Sequence, residues 1–339
     1  MKPIHALAAA CALSFALEPS VAIAASPVSS VWQVKSDTNT IYLAGAVPFL
    51  RESDLPLATQ FRQAYQDSER LVFEVDPEES KDEREGQRTI MMGMYTDGGS
   101  IRDQVSEETY KKLGDFLSES GAPRIAMDRL RPWFAAVMIS MTEMIKEGMR
   151  PDLGVGEMVE RWAAEDGKPI GGLEGMRVEL ELLAGLPEEA HEHMLAESLE
   201  DVGDMGKLGE EFGKFIAAWR DGDIEGLEEI DSEDSDGEWD RLVEKKLYRG
   251  RAAEWMDEFE KTLAGEEPTM YVIGIAHLIG EGNLRAVLEE RGYQVEQLKR
   301  KKGERKKQRK RDEKPALIPV HVSSGPQQVM AGFPLRPAL

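Results

Sequence analysis

The stretch Tyr271-Val-Ile-Gly-Ile-Ala-His277 decides how this chain is interpreted. Its apolar first part is typical of a buried strand, and its Gly-x-x-His portion is typical of a turn. The residues that follow, up to Arg291-Gly-Tyr293, indicate a helix whose start carries Asn283. Open α/β sheets keep their chemistry at the carboxyl ends of strands, where His277 is expected to lie. We therefore predict a functional role for His277; the alternative is a structural histidine hydrogen-bonded to a neighbour.

A similar segment, Thr40-Ile-Tyr-Leu-Ala-Gly45-Ala-Val-Pro48, lies near the other end of the chain. The position that matches His277 is occupied there by Pro48. A short run at Trp32-Gln-Val-Lys35 precedes this segment, and Ser36-Asp-Thr-Asn39 between the two is rich in turn residues. This pattern predicts a hairpin.

Two further strands are predicted to carry carboxylates. Arg70-Leu-Val-Phe-Glu-Val-Asp76 is rich in β-forming residues and holds Glu74 between apolar neighbours, where a carboxylate must be paired or hydrogen-bonded. Lys168-Pro-Ile-Gly-Gly-Leu-Glu174 indicates a short strand that ends in a second carboxylate. For Glu74, an ion pair with Arg249 is the structural alternative to a role in a functional site.

The predicted strands lie towards the two ends of the chain, and the pattern from Arg177 to Leu263 is almost wholly helical. The sequence therefore predicts an α/β (α+β) fold. In it, the N- and C-terminal parts build one discontinuous mixed β-sheet, and a large helical insertion separates them.

The chain divides into three parts: a signal peptide (1–24), a folded domain (25–298) and a tail (299–339). A positive start, an apolar run from Ala6 to Leu17 and the Ala-Ile-Ala motif at 22–24 predict the signal peptide. We therefore expect an exported protein, periplasmic or secreted in a bacterium. Cys11 is the only cysteine and lies in the signal, so we expect no disulfide in the mature chain.

Charge is spread unevenly along the chain. The net charge is −22, yet residues 299–314 hold 11 basic and 3 acidic residues. A body this acidic argues against binding to nucleic acid through its own surface. The basic tail could contact an anionic membrane, an acidic polysaccharide or the chain's own acidic body, or it could remain solvated without a partner. After residue 314 the tail contains several prolines and little periodicity, which predicts disorder.

Over roughly residues 30 to 298 the chain resembles the TraB/GumN family, which includes the Tiki proteases. Four stretches carry the resemblance in the same order and spacing. They are Val31-Trp-Gln-Val-Lys35 with Ile41-Tyr-Leu-Ala-Gly45; Leu71-Val-Phe-Glu-Val-Asp76; Arg131-Pro-Trp133 with Leu153-Gly-Val155 and Gly172-Leu-Glu174; and Val272-Ile-Gly-Ile-Ala-His-Leu-Ile-Gly280 with Arg291-Gly-Tyr293.

The resemblance implies a metal-dependent, hydrolase-like scaffold that cleaves peptides, with two Gly-x-x-His motifs and a strand glutamate in the site. Gly274 to His277 matches the second motif, and Glu74 matches the glutamate. The chain departs from the family pattern at three positions. Pro48 replaces the first histidine, Gly156 stands where an acidic residue is common, and Arg249-Gly250 stands where an Arg-Asn pair is common.

The resemblance suggests a specific set of site residues. We predict His277, Glu74 and Arg249 as catalytic residues, and His277, Glu74 and Glu174 as ligands of Mn²⁺, Co²⁺ or Zn²⁺. A catalytic metal usually needs about three protein ligands, and proline offers no donor atom, so Pro48 predicts weakened metal binding.

Two other motifs invite a metal interpretation. His191-Glu-His193 lacks the His-Glu-x-x-His spacing, and histidines two apart on a helix point away from each other. Asp231-Ser-Glu-Asp-Ser-Asp-Gly237 resembles a calcium loop, but alignment on Gly237 puts Val243 where the bidentate glutamate should be. A solvated acidic turn explains the second motif better.

Two functional hypotheses follow. The first is an exported, metal-dependent hydrolase with a degenerate first motif and reduced activity on a peptide or protein substrate. The second is a catalytically inactive binding or envelope-assembly module on the same fold. The hydrolase hypothesis requires Glu74, Glu174, Arg249 and His277 to face one cleft.

Overall fold

The computed structural model describes residues 28–201, 205–233 and 237–299 of the 339-residue chain. Six strands in this part form one mixed sheet with the order β4-β3-β5-β2-β1-β6. The strands are β1 (Val28–Lys35), β2 (Thr40–Ala46), β3 (Arg70–Val75), β4 (Ile170–Glu174), β5 (Thr269–Gly274) and β6 (Gln294–Lys299).

The sheet has a parallel half and an antiparallel half. Strands β4, β3, β5 and β2 run parallel to one another. Strand β1 pairs antiparallel with β2, as the predicted hairpin requires, and antiparallel with β6 on its other side. The parallel half therefore brings the carboxyl ends of four strands to one edge of the sheet, although those strands come from distant parts of the chain.

Helices fill most of the sequence between the strands. Those in the described residues are α1 (Thr59–Asp67), α2 (Pro77–Ser80), α3 (Glu83–Met92), α4 (Glu107–Ser120), α5 (Arg124–Met127), α6 (Pro132–Lys146), α7 (Val155–Asp166), α8 (Met176–Ala184), α9 (Glu188–Asp201), α10 (Met205–Asp221), α11 (Ile224–Glu233), α12 (Glu238–Glu244), α13 (Arg251–Ala264) and α14 (Leu284–Glu290). The predicted fold class, a mixed sheet with a large helical insertion, is confirmed.

Local sequence explains several helix starts. The Ser106 hydroxyl accepts a hydrogen bond from the Thr109 amide at the start of α4. The Asn283 side chain accepts one from the Ala286 amide and begins α14 in the same way. Pro132 occupies the first turn of α6, where its missing N–H costs no hydrogen bond.

The buried side chains form two hydrophobic cores. One covers the sheet and includes Leu43, Phe61, Trp219 and Phe259. The other lies within the helical insertion, and α6, α8 and α9 contribute much of it, including the fully buried Trp133. The edge of the sheet where β3 and β4 end therefore lies next to both cores, which allows a buried polar site there.

The predicted signal peptide and nearly all of the basic tail lie outside the described residues. None of the described helices is long and apolar enough to cross a membrane.

Candidate functional site

Glu74 and the turn after β5 meet at the carboxyl edge of the parallel strands. Strands β3 and β5 are neighbours, with Phe73 paired to Val272, so Glu74 reaches the end of β5. The Gly274 amide donates a hydrogen bond of 2.8 Å to Glu74 Oε2. One carboxylate oxygen is thus fixed by the backbone of the Gly-x-x-His turn.

His277 holds the other oxygen of the same carboxylate. Its Nε2 lies 3.1 Å from Glu74 Oε1, and because an ionised carboxylate only accepts, Nε2 is the donor. The ring is enclosed by Trp255 and Tyr248, whose ring centroids lie 4.7 and 5.2 Å away. The buried Nδ1 of His277 has no hydrogen-bond partner among the described residues. His277 is thus an oriented, water-shielded histidine with one ring nitrogen unused.

Arg251 lies against both strand carboxylates. Its Nη2 is 3.7 Å from Glu74 Oε1 and forms an ion pair with Glu174 Oε1. Trp255 Nε1 donates to the other oxygen of Glu174 at 3.1 Å. We call Glu74, Glu174, Arg251, Trp255 and His277 the sheet-edge cluster. Arg251 is only 2% exposed, so its charge is screened little by solvent.

The charges of the sheet-edge cluster perturb its ionisation. Burial by itself raises the pKa of Glu74, but the charges of His277 and Arg251 and the hydrogen bonds from His277 and Gly274 outweigh it and lower that pKa. Burial lowers the pKa of Arg251, while the charge of Glu74 opposes this shift. Glu74 is therefore an ionised carboxylate held beside the Arg251 guanidinium.

A third carboxylate, Glu179 on α8, is buried near the cluster. Burial and the charge of Glu74 raise its pKa well above the ordinary value. The pKa values of the two buried carboxylates are thus shifted in opposite directions, so that burial favours the protonated form of Glu179 while its partners favour the ionised form of Glu74. We did not predict this residue, because its helical spacing places it on an ordinary core-facing side of α8.

The structural alternative for Glu74, an ion pair with Arg249, is not what the structure shows, because Arg251 takes that place. Arg249 instead pairs with Glu244, reaches Asp231 at 3.3 Å and donates to the Ile279 carbonyl oxygen at 2.5 Å. Residues two apart on a helix point in different directions, so only one of the two arginines can face the cluster. A π-helical turn over Lys245–Arg249, immediately before α13, sets which arginine does so.

A cleft of about 90 Å³ opens beside Glu74 at the same edge. Pro48 and Gly156, two of the positions that depart from the family pattern, both line it. The start of α7 packs tightly there, since a Cβ atom on Gly154 would lie 2.4 Å from the Pro48 carbonyl oxygen. The two altered positions thus face the cleft together with Glu74.

Two further carboxylates stand in a cleft lining that is otherwise mostly apolar. Glu157 and Glu160 line it along with Glu74, and Lys81 forms an ion pair with Glu160. Burial, reinforced by the charge of Glu160, raises the pKa of Glu157. The cleft therefore favours a positively charged group, which would relieve the repulsion between these carboxylates.

The predicted metal ligands Glu74, Glu174 and His277 do lie together. However, the guanidinium of Arg251 faces both carboxylates, and Pro48 brings no side-chain donor atom to the cleft. A dication next to a buried arginine would be repelled, and about three free protein ligands are needed. As arranged here, these residues do not fit a divalent metal. Their role as ligands stays a prediction.

A different group of side chains could hold a metal ion. The ligand atoms of His193, Glu197 and Asp240 all lie within 4.8 Å of one another. We call these three residues the helical triad. His191 points elsewhere and contacts the Leu183 carbonyl oxygen at 2.8 Å through Nε2, so the prediction that the two histidines diverge is confirmed. The calcium-like segment lies partly outside the described residues, and Ile224–Glu233 is helix α11.

Comparison with known proteins identifies the family of the chain. A family model described as TraB/PrgY/gumN family matches residues 30–297, which is most of the chain. A search of curated proteins and a search of solved structures each gave no significant match. The matched range spans all four strands whose carboxyl ends build the sheet edge. The chain belongs to the TraB/PrgY/gumN family.

Proposed function

We propose that this chain is an exported family member in which metal-dependent peptide cleavage is strongly reduced or lost, and whose cleft binds a peptide or protein segment. The observation that carries the proposal is that Pro48 and Gly156 both line the cleft beside Glu74 and offer no side-chain ligand atom there. The N-terminal signal pattern supports export.

The contacts of the sheet-edge cluster support the same proposal. Both oxygens of Glu74 are engaged, one by Gly274 and the other by His277. Both oxygens of Glu174 are engaged as well, by Arg251 and Trp255. A metal would have to displace these partners from a buried site, which costs far more than entering an open one.

The carboxylates of Glu74, Glu157 and Glu160 in the lining suggest what the cleft binds. A lysine or arginine side chain, or the amino terminus of a peptide, would place a cation beside Glu157 and Glu160. An ion pair there is partly shielded from water, so it contributes more than one on an open surface. We therefore propose that the bound segment presents a cationic group to the cleft.

Binding and cleavage can be measured separately on the mature protein. A library of fluorescence-quenched peptides, supplied with Mn²⁺, Co²⁺ or Zn²⁺, should show no cleavage above that of a His277→Ala variant. Fluorescence anisotropy with lysine-containing peptides should show binding that weakens in a Glu157→Gln variant. Chelator-sensitive cleavage that disappears in His277→Ala would contradict the proposal.

One observation favours the hydrolase as a second candidate. The pair of Glu74 and His277 has the geometry of an oriented general base, and Nδ1 of His277 has no partner among the described residues. Cleavage that depends on both residues but not on added metal would support this candidate.

A further inference from the structure

We propose that the helical triad binds one divalent transition-metal ion, with Zn²⁺ the best match, and that this ion joins α9 to the start of α12. The site is separate from the sheet-edge cluster and from the cleft. It is built from side chains of the helical insertion alone.

The backbone presents the three ligands together. His193 and Glu197 are four residues apart on α9, so they share one face of that helix. Asp240 approaches from α12, with its Oδ1 2.9 Å from His193 Nε2. The other oxygen of Asp240 accepts a hydrogen bond of 3.1 Å from the Gly237 amide. Asp240 is therefore held in place by the backbone.

The spacing suits a small tetrahedral ion. Ligand atoms about 2.0 to 2.1 Å from a tetrahedral centre lie roughly 3.3 Å apart. His193 Nε2 lies 2.9 Å from the Asp240 oxygen and 3.8 Å from Glu197 Oε2, so the two distances bracket that value. The ligand atoms of Glu197 and Asp240 lie within 4.8 Å of each other, so side-chain movement on the two helices would complete the site.

The ligand types select the metal. One imidazole and two carboxylates, with a water in the fourth position, is a combination that Zn²⁺ accepts. Ca²⁺ prefers six to eight oxygen ligands and would gain little from the histidine. Access is open as well, because the side chains of His193 and Glu197 are 34% and 42% exposed.

The position of the triad suggests a structural role. Helix α12 leads through the Lys245–Arg249 turn directly into α13, which carries Arg251. An ion that fixes the start of α12 to α9 would stabilise the segment that holds this arginine at the sheet edge. The ion binds the folded state, so it raises the melting temperature.

Calorimetric titration of the untagged mature protein with ZnCl₂ tests the proposal. We expect one Zn²⁺ per chain and a higher melting temperature. Affinity should fall at least tenfold in His193→Ala and in Glu197→Gln. It should be unchanged in Glu200→Gln, a matched substitution on the same helix, and in His277→Ala.

Circular dichroism of each variant checks that it is folded. The Asp240→Ser variant is a second test, because serine can still accept the Gly237 hydrogen bond but is a poor ligand. Absence of Zn²⁺ binding in the wild type would overturn the proposal. Wild-type Zn²⁺ affinity in both His193→Ala and Glu197→Gln would overturn it as well. So would loss of Zn²⁺ binding in His277→Ala alone.

Discussion

The sheet-edge cluster and the helical triad contain similar side chains in opposite surroundings. Each contains one histidine and two carboxylates. In the sheet-edge cluster the side chains of His277 and Glu74 are 1% and 9% exposed, and Arg251 supplies a positive charge between the two carboxylates. In the helical triad, two of the three side chains are partly exposed and three ligand atoms converge.

The difference shows that ligand types alone do not define a metal site. A buried carboxylate must be neutralised when the protein folds, and here an arginine within the same chain does so. Once the arginine is in place, a metal has to compete with it. In the triad, His193 and Glu197 lie where water can solvate their charges, so these two ligands can exchange their protein partners for an ion at a lower free-energy cost.

The largest expected effect comes from removing Arg251. Arg251→Met leaves Glu74 and Glu174 without their cation in a buried site, which costs about 3–5 kcal/mol of folding free energy. Urea denaturation at pH 7 measures it. Arg291→Met is the matched control, because Arg291 pairs with Glu260 at the surface and should cost at most about 1 kcal/mol. Similar losses for the two variants would show that the cluster is not held by its arginine.

The second prediction concerns Glu74 and acid. The folded-state pKa of Glu74 lies below the ordinary value of 4.5. The ionised carboxylate therefore makes its full contribution to folding stability at any pH above 4.5. This contribution is lost as the pH falls below 4.5 through the folded-state pKa. Glu74→Gln should therefore cost about 1–3 kcal/mol at pH 7 and weaken the acid dependence of stability below pH 4.5.

Denaturation midpoints of the two proteins from pH 7 to pH 3 measure this difference. Parallel curves for the wild type and Glu74→Gln over the whole range would contradict the prediction.

The third prediction concerns Glu179, whose contribution to stability depends on pH in the opposite direction to that of Glu74. The folded-state pKa of Glu179 is raised, so its contribution to stability is full below 4.5 and declines as the pH rises towards the folded-state pKa. Glu179→Gln keeps the shape of a protonated carboxyl and has no proton to lose. The variant should be at least as stable as the wild type at pH 7 and should lose less stability as the pH rises above 4.5. A less stable variant with an unchanged pH dependence would argue against a protonated Glu179.

The smallest effect is expected in the helical triad without metal. In chelator-treated protein His193→Ala removes only a partly exposed pair, so it should cost about 1 kcal/mol or less. When ZnCl₂ is added, the difference between variant and wild type should grow, because only the wild type gains the binding free energy. Melting temperatures with and without ZnCl₂ measure this change. A difference that does not grow would contradict it.

The sequence predicted the sheet edge well because its signals are local. The strands around Glu74, Glu174 and Gly274 are short apolar runs bounded by turn residues, and the parallel arrangement brings their ends together. The choice of Arg251 over Arg249 could not be predicted, because it depends on a π-helical turn without a clear sequence signal. Asp240 was missed as a partner of His193, because only tertiary packing brings α12 to α9. The four-residue spacing of His193 and Glu197 was the one available signal.

The most direct test of the central claim is a crystal structure of the mature protein soaked in ZnCl₂, with anomalous diffraction recorded at the zinc edge. Our account predicts a peak between His193, Glu197 and Asp240, and no peak at the sheet-edge cluster, where Arg251 contacts the carboxylates. A peak bounded by His277 and Glu74, with Arg251 displaced, would contradict it and would identify the sheet edge as the metal centre.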